Sequence, residues 1–136
     1  MINYEKQLTT DILPFWLRQV DRVNGGIFTC VDEQGDIYGE EKSVWFQGRA
    51  LWTFAKAYNV IKKDADYLAA ADRIYMFLEK CVDSDGRMYF TVTADGRGIQ
   101  KRRYYFRRHL QPLDVRNTIV PVEICRLWWM QENILK

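Results

Sequence analysis

The chain has 136 residues, of which 48% are hydrophobic and 15% aromatic, enough apolar material for the packed core of one small domain. Its formal charge is only +2, from 20 Lys and Arg against 18 Asp and Glu. A charge this small argues against nucleic acid or an anionic membrane as the main partner. The composition therefore favours a neutral or weakly charged small-molecule ligand.

The three cysteines, Cys30, Cys81 and Cys125, are widely spaced and form no CxxC pair. This pattern favours reduced thiols in a cytoplasmic protein over a disulfide framework, and it supports neither a metal site nor a bound cofactor. The N-terminal segment carries acidic residues among its apolar ones and lacks the architecture of a signal peptide. No run approaches the ~20 apolar residues that a membrane-spanning helix needs.

The first predicted element is an amphipathic helix over residues 3–22, with Leu8, Ile12, Phe15, Trp16 and Gln19 at three- and four-residue steps. Pro14 lies inside this helix, so we expect a kink there or a new helix with Pro14 in its first turn. Gly25 and Gly26 end the pattern. Residues 26–38 are predicted to form a short hairpin or an extended loop.

Two further helices are predicted, over residues 43–61 and 65–82, with Asp64 as the N-cap of the second. A turn at residues 83–86 and a strand over residues 87–93 follow, and Asp95-Gly96 indicates a second hairpin. The two hairpin segments align loosely at a spacing of about 61 residues, which is typical of a repeated unit of two helices and a hairpin. Chance similarity between two segments rich in turn residues explains the alignment equally well.

The segment KSVWFQGRALW, residues 42–52, places Trp45, Arg49 and Trp52 on one face of the second helix. Indole rings offer flat apolar surfaces to the C–H faces of a sugar, and a guanidinium offers several fixed donors to hydroxyl or carbonyl oxygens. This face is therefore predicted to bind a polyol. The alternative is a buried amphipathic helix whose arginine reaches solvent past its aromatic neighbours.

Four blocks of the sequence resemble the N-acylglucosamine 2-epimerase family: ILPFW at residues 12–16, the spacing from Asp21 to GGIF at 25–28, KSVWFQGRALWTFAKAYN and GRMYFTVTADGRGIQKRRYYF. The resemblance covers residues 8–106 and corresponds to the N-terminal third of a typical member. It implies an all-α fold, the first part of an α/α toroid of six helical hairpins with short β-hairpins between helices. It also implies a sugar bound in the central cavity and inverted at C2.

The resemblance assigns roles to individual residues. Arg49 matches an arginine that helps to hold the reacting oxygen, so it is the predicted catalytic residue. Trp45 and Trp52 are predicted to line the sugar cavity, while Gln47 and Lys42 are predicted to make polar contacts with substrate or to support the helix end. Family enzymes use histidines from later helices as acid and base, and a homodimer is expected for the full-length parent.

The only histidine of this chain is His109, which has no counterpart among those catalytic histidines. Gln19-Val20 also stand where the family commonly has a His-Ser type pair. From Arg107 onward the sequence departs from the family, because Pro112 and Pro121 would interrupt a helix that the family continues. Residues 1–106 are therefore predicted to be a family fragment and residues 107–136 an unrelated tail.

We hypothesise that a reading-frame change near Arg107 produced this tail. Reading the coding DNA in its other two frames beyond codon 107 tests the idea. The hypothesis fails if neither frame resumes a helical, family-like sequence. The chain alone is then expected to lack epimerase activity. Three alternatives are a non-catalytic carbohydrate- or protein-binding module, single-strand nucleic-acid binding through residues 101–108, and a glycoside hydrolase using acidic residues. The hydrolase would need a matched pair among the acidic residues near the first hairpin, Asp32, Glu33, Asp36, Glu40 and Glu41.

Overall fold

A computed structural model describes residues 3–101 of the chain. A helical N-terminal segment comprises α1 (Tyr4–Gln7), a π-helical segment (Leu8–Ile12) and α2 (Leu13–Arg18). Two longer helices follow, α3 (Val44–Val60) and α4 (Ala65–Lys80). Five short strands complete the order: β1 (Cys30–Val31), β2 (Ile37–Gly39), β3 (Lys42–Ser43), β4 (Tyr89–Val92) and β5 (Gly98–Lys101). The described residues are thus rich in helix with small strands between the helices.

The N-terminal helix is interrupted in the way that its proline demands. The N–H of Leu13 donates to the carbonyl of Leu8, five residues back, which is the hydrogen bond of a π-turn. This wider turn precedes Pro14, where a regular α-turn would place the proline ring against the carbonyl of Thr10. Pro14 then occupies the start of α2, so the expected new helix is confirmed.

The predicted end of that helix, at residue 22, is wrong. Helix α2 stops at Arg18, and Val20 forms an antiparallel bridge with Ile27. Asp21 causes the change of direction, because its Oδ1 accepts the backbone N–H of Val23 at 2.8 Å and of Asn24 at 3.0 Å. A short side chain that bonds its own following backbone favours a turn over a helix.

Helices α3 and α4 lie within one or two residues of their predicted bounds and pack against each other. Each buries residues at three- and four-residue spacing, including Leu51 and Phe54 of α3 and Ile74 and Phe77 of α4. Asp64 caps α4 as predicted, accepting the N–H of Asp66 at 3.0 Å. The core lies between these two helices and extends to Leu13, Ile27 and Val92.

Both predicted hairpins are present. β1 pairs with β2, and β3, β4 and β5 form a three-stranded antiparallel sheet in that order. The same type of turn closes three loops. In each, the carbonyl of the first residue accepts the N–H of a glycine three positions later, and the N–H of that first residue donates to the carbonyl of the residue after the glycine. These glycines, all with positive φ, are Gly35, Gly86 and Gly96. One turn type used three times accounts for the local likeness of the two hairpins, and the repeat stays a prediction.

Among residues 3–101, no helix has the length and apolar character that crossing a membrane requires. The same range contains no group of three His, Cys, Asp or Glu side chains placed to hold a metal ion.

Candidate functional site

Helix α3 carries the predicted sugar-contacting face, and that face is open to solvent. The Arg49 guanidinium lies over the Trp45 ring, with 4.6 Å between its central carbon and the ring centroid. Arg49 is exposed, Trp45 is half-buried and Trp52 keeps 42% of its surface exposed. A cation held against an aromatic ring loses conformational freedom while its outer N–H groups stay available.

The predicted arrangement, with both indoles flanking the guanidinium, is only partly found. Within the described part of the chain, the ring that Arg49 contacts is Trp45 and not Trp52. Trp52 lies one helical turn further along α3 and presents its ring to solvent. The two indoles therefore have different surroundings: one supports the cation, and the other offers open aromatic surface.

Gln47 lies on the opposite, buried side of α3. Its Oε1 accepts the N–H of Ile27 at 2.7 Å, and its Nε2 donates to the carbonyl of Ile27 at 2.8 Å and of Ser43 at 3.3 Å. The two bonds to Ile27 satisfy both its backbone N–H and its carbonyl, and Ile27 is itself fully buried. Gln47 thus joins α3 to the segment that precedes β1.

Lys42 is also fully buried, two residues before α3 begins. Its ammonium donates to Asp21 Oδ2 at 2.7 Å, to the carbonyl of Ala94 at 2.8 Å and to that of Gly25 at 2.9 Å. The three bonds use all three N–H donors of a protonated lysine. The rings of Phe28 and Phe77 lie 4.8 and 4.5 Å from the ammonium and complete its surroundings.

The ionisation of this pair follows from its surroundings. Burial raises the pKa of Asp21, but its hydrogen bonds from Lys42 and from the Asn24 and Val23 N–H groups outweigh burial and bring that pKa to about 2. Burial lowers the pKa of Lys42, against the opposing effect of Asp21. Asp21 therefore stays a carboxylate well into the acidic range.

These contacts give Lys42 and Gln47 the role of helix-end support that was one of their two predicted roles. Their predicted contact with substrate stays a prediction without support from this geometry, since both side chains are buried and bonded to protein groups. Sequence reasoning missed Asp21 as a structural residue. The available signal was an aspartate followed by Asn24-Gly25-Gly26, which is typical of a turn fixed by a side chain.

The other candidate residues do not form a second site in the described residues. The five acidic side chains around the first hairpin are all exposed, as expected for a solvated loop. Burial raises the pKa of the Cys81 thiol to about 12, which makes it a poor nucleophile. His109 and residues 102–108 of the basic run lie outside the described residues, while Lys101 forms an ion pair with Asp83.

Comparison with known proteins gives a consistent result. The family model of N-acylglucosamine 2-epimerase (GlcNAc 2-epimerase) matches residues 26–109. The N-acylglucosamine 2-epimerase of Homo sapiens is 31% identical over 101 residues, which are 70% of this chain and 24% of the human protein. The cellobiose 2-epimerase of Dictyoglomus turgidum is 32% identical over 105 residues, with 74% of this chain and 26% of that protein covered.

The fold shows the same likeness. The structure of the cellobiose 2-epimerase from Bacillus thermoamylovorans B4167 matches with a TM-score of 0.65 and 33% identity. The match covers 71% of this chain and 26% of that one. This chain thus spans about a quarter of the length of the relatives it matches. The matched family range reaches residue 109, and the division of the chain at Arg107 stays a prediction.

Proposed function

Because this chain belongs to the N-acylglucosamine 2-epimerase family, we propose that it provides a sugar-contacting helix of a sugar 2-epimerase, within the first part of an α/α toroid. The relatives that it matches are named for epimerisation of N-acylglucosamine and of cellobiose. The observation that carries the proposal is the exposed α3 face, with Arg49 held against Trp45 and Trp52 open one turn away. This face has the groups that recognise a neutral polyol.

The proposed roles follow from the different surroundings of the two indoles. Trp52 is the platform on which the C–H face of a sugar ring stacks, because its own ring is exposed. Trp45 positions Arg49, since the guanidinium covers part of its ring. Arg49 donates to the carbonyl oxygen on C1 of the open-chain sugar, the atom on which negative charge develops when the C2 proton is removed.

Epimerisation at C2 also needs a base to remove the proton and an acid to return one to the opposite face. The resemblance implies that family enzymes use histidines for both, and the single histidine of this chain does not match them. We therefore propose that this chain alone binds sugar but does not epimerise it at C2. The same observation favours the second candidate function, a non-catalytic carbohydrate-binding module.

Saturation-transfer NMR on the full chain with cellobiose and N-acetylglucosamine tests the binding proposal. We expect transfer to the sugar C–H protons, and we expect Trp52→Ala or Arg49→Met to weaken affinity by roughly tenfold, as loss of about 1.4 kcal/mol implies. Val60→Ala is the matched control, because Val60 is an exposed apolar residue of the same helix. Equal binding by all four proteins would contradict the proposed site.

Incubation of the chain with sugar in deuterated water tests the proposal that the chain alone does not catalyse epimerisation. We expect no deuterium at C2, because the acid and base are not provided. Catalysed deuterium incorporation at C2 would show that this chain is an active epimerase and would exclude the binding-module alternative.

A further inference from the structure

The buried Lys42 ammonium connects parts of the chain that are far apart in sequence. Its hydrogen-bond acceptors lie 17, 21 and 52 residues away, at Gly25, Asp21 and Ala94. Gly25 and Asp21 belong to the turn after α2, and Ala94 belongs to the turn that joins β4 to β5. Phe77, whose ring faces the ammonium at 4.5 Å, adds α4 to the same junction.

This junction adjoins the start of α3. Lys42 is the first residue of β3 and pairs with Val92 of β4, and β3 is followed directly by α3 at Val44. Gln47, one turn into the helix, holds Ile27 through two hydrogen bonds. The first turn of α3 is therefore held by Lys42 just before it and by Gln47 at its end, and Trp45 lies between these two residues in the sequence.

If this space only had to be filled, an apolar side chain would be expected here and not an ammonium. Removing a charge from water costs several kcal/mol, and apolar residues of similar size commonly replace a buried ion pair without loss of stability. What an apolar replacement cannot do is bond three oxygens from two separate turns in fixed directions. The arrangement therefore specifies geometry more than it adds stability.

We propose that Lys42 is a positioning residue for the sugar-contacting face: through its three hydrogen bonds it fixes the first turn of α3 against the 21–26 turn and the β4–β5 turn, and so sets the orientation of Trp45 and Arg49. The effect on sugar affinity rests on the proposed function. The effect on the orientation of Trp45 does not.

The test separates positioning from stability by means of the double variant Asp21→Asn/Lys42→Met. Lys42→Met alone leaves the Asp21 carboxylate buried and unpaired, so it is expected to unfold the chain in part. The double variant buries no charge and keeps an oxygen at residue 21 for the N–H groups of Val23 and Asn24. Lys62→Met/Asp64→Asn is the matched control, because this second Lys–Asp pair lies at the surface and Asn also caps a helix.

Three quantities are measured at a temperature at which the variants are folded: the denaturant midpoint, sugar affinity, and the near-UV circular dichroism band assigned to Trp45 by Trp45→Phe. We expect the double variant to keep a midpoint close to the native one, because the carbonyls of Gly25 and Ala94 that lose their donor are only partly buried and can bond to water. We also expect it to bind sugar roughly tenfold more weakly and to show an altered Trp45 band, while the surface control matches the native chain. A double variant with native affinity and a native Trp45 band would overturn the inference. If the native chain binds no sugar, the proposed function fails and the Trp45 band alone decides the role of Lys42.

Hydrogen exchange in the native chain gives a test without mutation. The N–H of Gly26 bonds to the carbonyl of Arg73 and that of Gly96 to the carbonyl of Thr93, in the two turns that Lys42 joins. We expect these two amides to share one opening free energy, because one junction holds both turns. Opening of Gly96 at much lower free energy than Gly26 would contradict the proposed coupling.

Discussion

Asp21 shows how hydrogen bonding can outweigh burial at a single residue. Its carboxylate accepts two backbone N–H groups, the Asn24 side chain and the Lys42 ammonium, so the charged form is favoured although the residue is only 4% exposed. A folded-state pKa of about 2, below the ordinary value of 3.8, means that folding favours the deprotonated form. The stability that this carboxylate contributes is therefore present above about pH 4 and lost as the pH falls toward 2.

We expect acid to lower the free energy of unfolding between pH 5 and pH 2 by about 2 kcal/mol more in the native chain than in Asp21→Asn/Lys42→Met, which has no carboxylate there. Urea unfolding at a series of pH values measures the difference. The exposed Glu33→Gln substitution serves as the control, since its side chain lies on a solvated turn. Parallel pH profiles for the native chain and the double variant would contradict the proposed origin of the acid sensitivity.

Gly26 is a second residue whose surroundings decide its identity. Its φ is +77°, and a Cβ at this position would lie 2.7 Å from a ring carbon of Phe77 and 2.9 Å from Gln47 Oε1. Gly86 has nearly the same φ, +79°, but no atom lies within 4 Å of its Cβ position. A side chain would therefore strain the backbone equally at the two positions, but only at Gly26 would it also lie too close to other atoms.

We expect Gly86→Ala to cost about 1 kcal/mol, from the strained backbone alone, and Gly26→Ala to cost roughly 2 kcal/mol more, because Phe77 or Gln47 must also move. Thermal or denaturant unfolding of both variants measures the two costs. Similar losses at the two glycines would show that the contact with Phe77 and Gln47 is not the reason for glycine at residue 26.

At the scale of elements, α3 has two different sides. One side is exposed and carries aromatic and charged groups, and the other is buried and is held by the polar side chain of Gln47. The buried amide of Gln47 replaces the strand partner that Ile27 would otherwise need for its N–H and carbonyl groups. Without it, both backbone groups would be buried and unpaired.

Gln47→Leu is expected to destabilise the chain by roughly 2 to 4 kcal/mol, because leucine fills a similar volume but leaves two backbone groups of Ile27 unsatisfied. Gln34→Leu, on an exposed turn, should have little effect and controls for the change in composition. Denaturant midpoints of the two variants make the comparison. Equal midpoints would mean that water or a shifted backbone satisfies Ile27 without cost.

The elements that the sequence predicts well are those whose cause is local. Helices α3 and α4 follow from apolar periodicity, the start of α4 from Asp64, and the β4–β5 turn from Asp95-Gly96. The predicted end of the first helix lies four residues beyond the observed one, because the three- and four-residue spacing continues through Gln19 while the Asp21 side chain already starts a turn.

Helix-end support was one of the two roles predicted for Lys42, but its hydrogen-bond partners could not be predicted in the same way. A lysine at the surface and a buried lysine with three acceptors look alike in a sequence, because the acceptors come from residues up to 52 positions away. The spacing of Trp45, Arg49 and Trp52 predicts that they share one face of α3, but it does not predict that this face is exposed, because the same spacing fits a buried amphipathic helix. The contact of Arg49 with Trp45 and not with Trp52 depends on side-chain packing, which spacing alone does not determine.

At the scale of the whole molecule, residues 3–101 form a small helix-rich unit that matches about a quarter of a solved 2-epimerase. In this unit the proposed sugar-contacting groups all come from one helix, and the groups that hold that helix come from the two turns and α4 around Lys42. The proposed toroid would place this face at a central cavity.

The most direct test of the sugar-binding face is a titration of the full, isotopically labelled chain with cellobiose and N-acetylglucosamine, followed through the Arg49 Nε–H and the Trp52 indole N–H signals. We predict saturable shifts of both signals with one common affinity and little change at the Trp16 indole, which packs against Phe46 with 4.9 Å between ring centroids. Shifts confined to other residues, or no saturable change at Arg49 and Trp52 with either sugar, would contradict the assignment of this face to sugar binding.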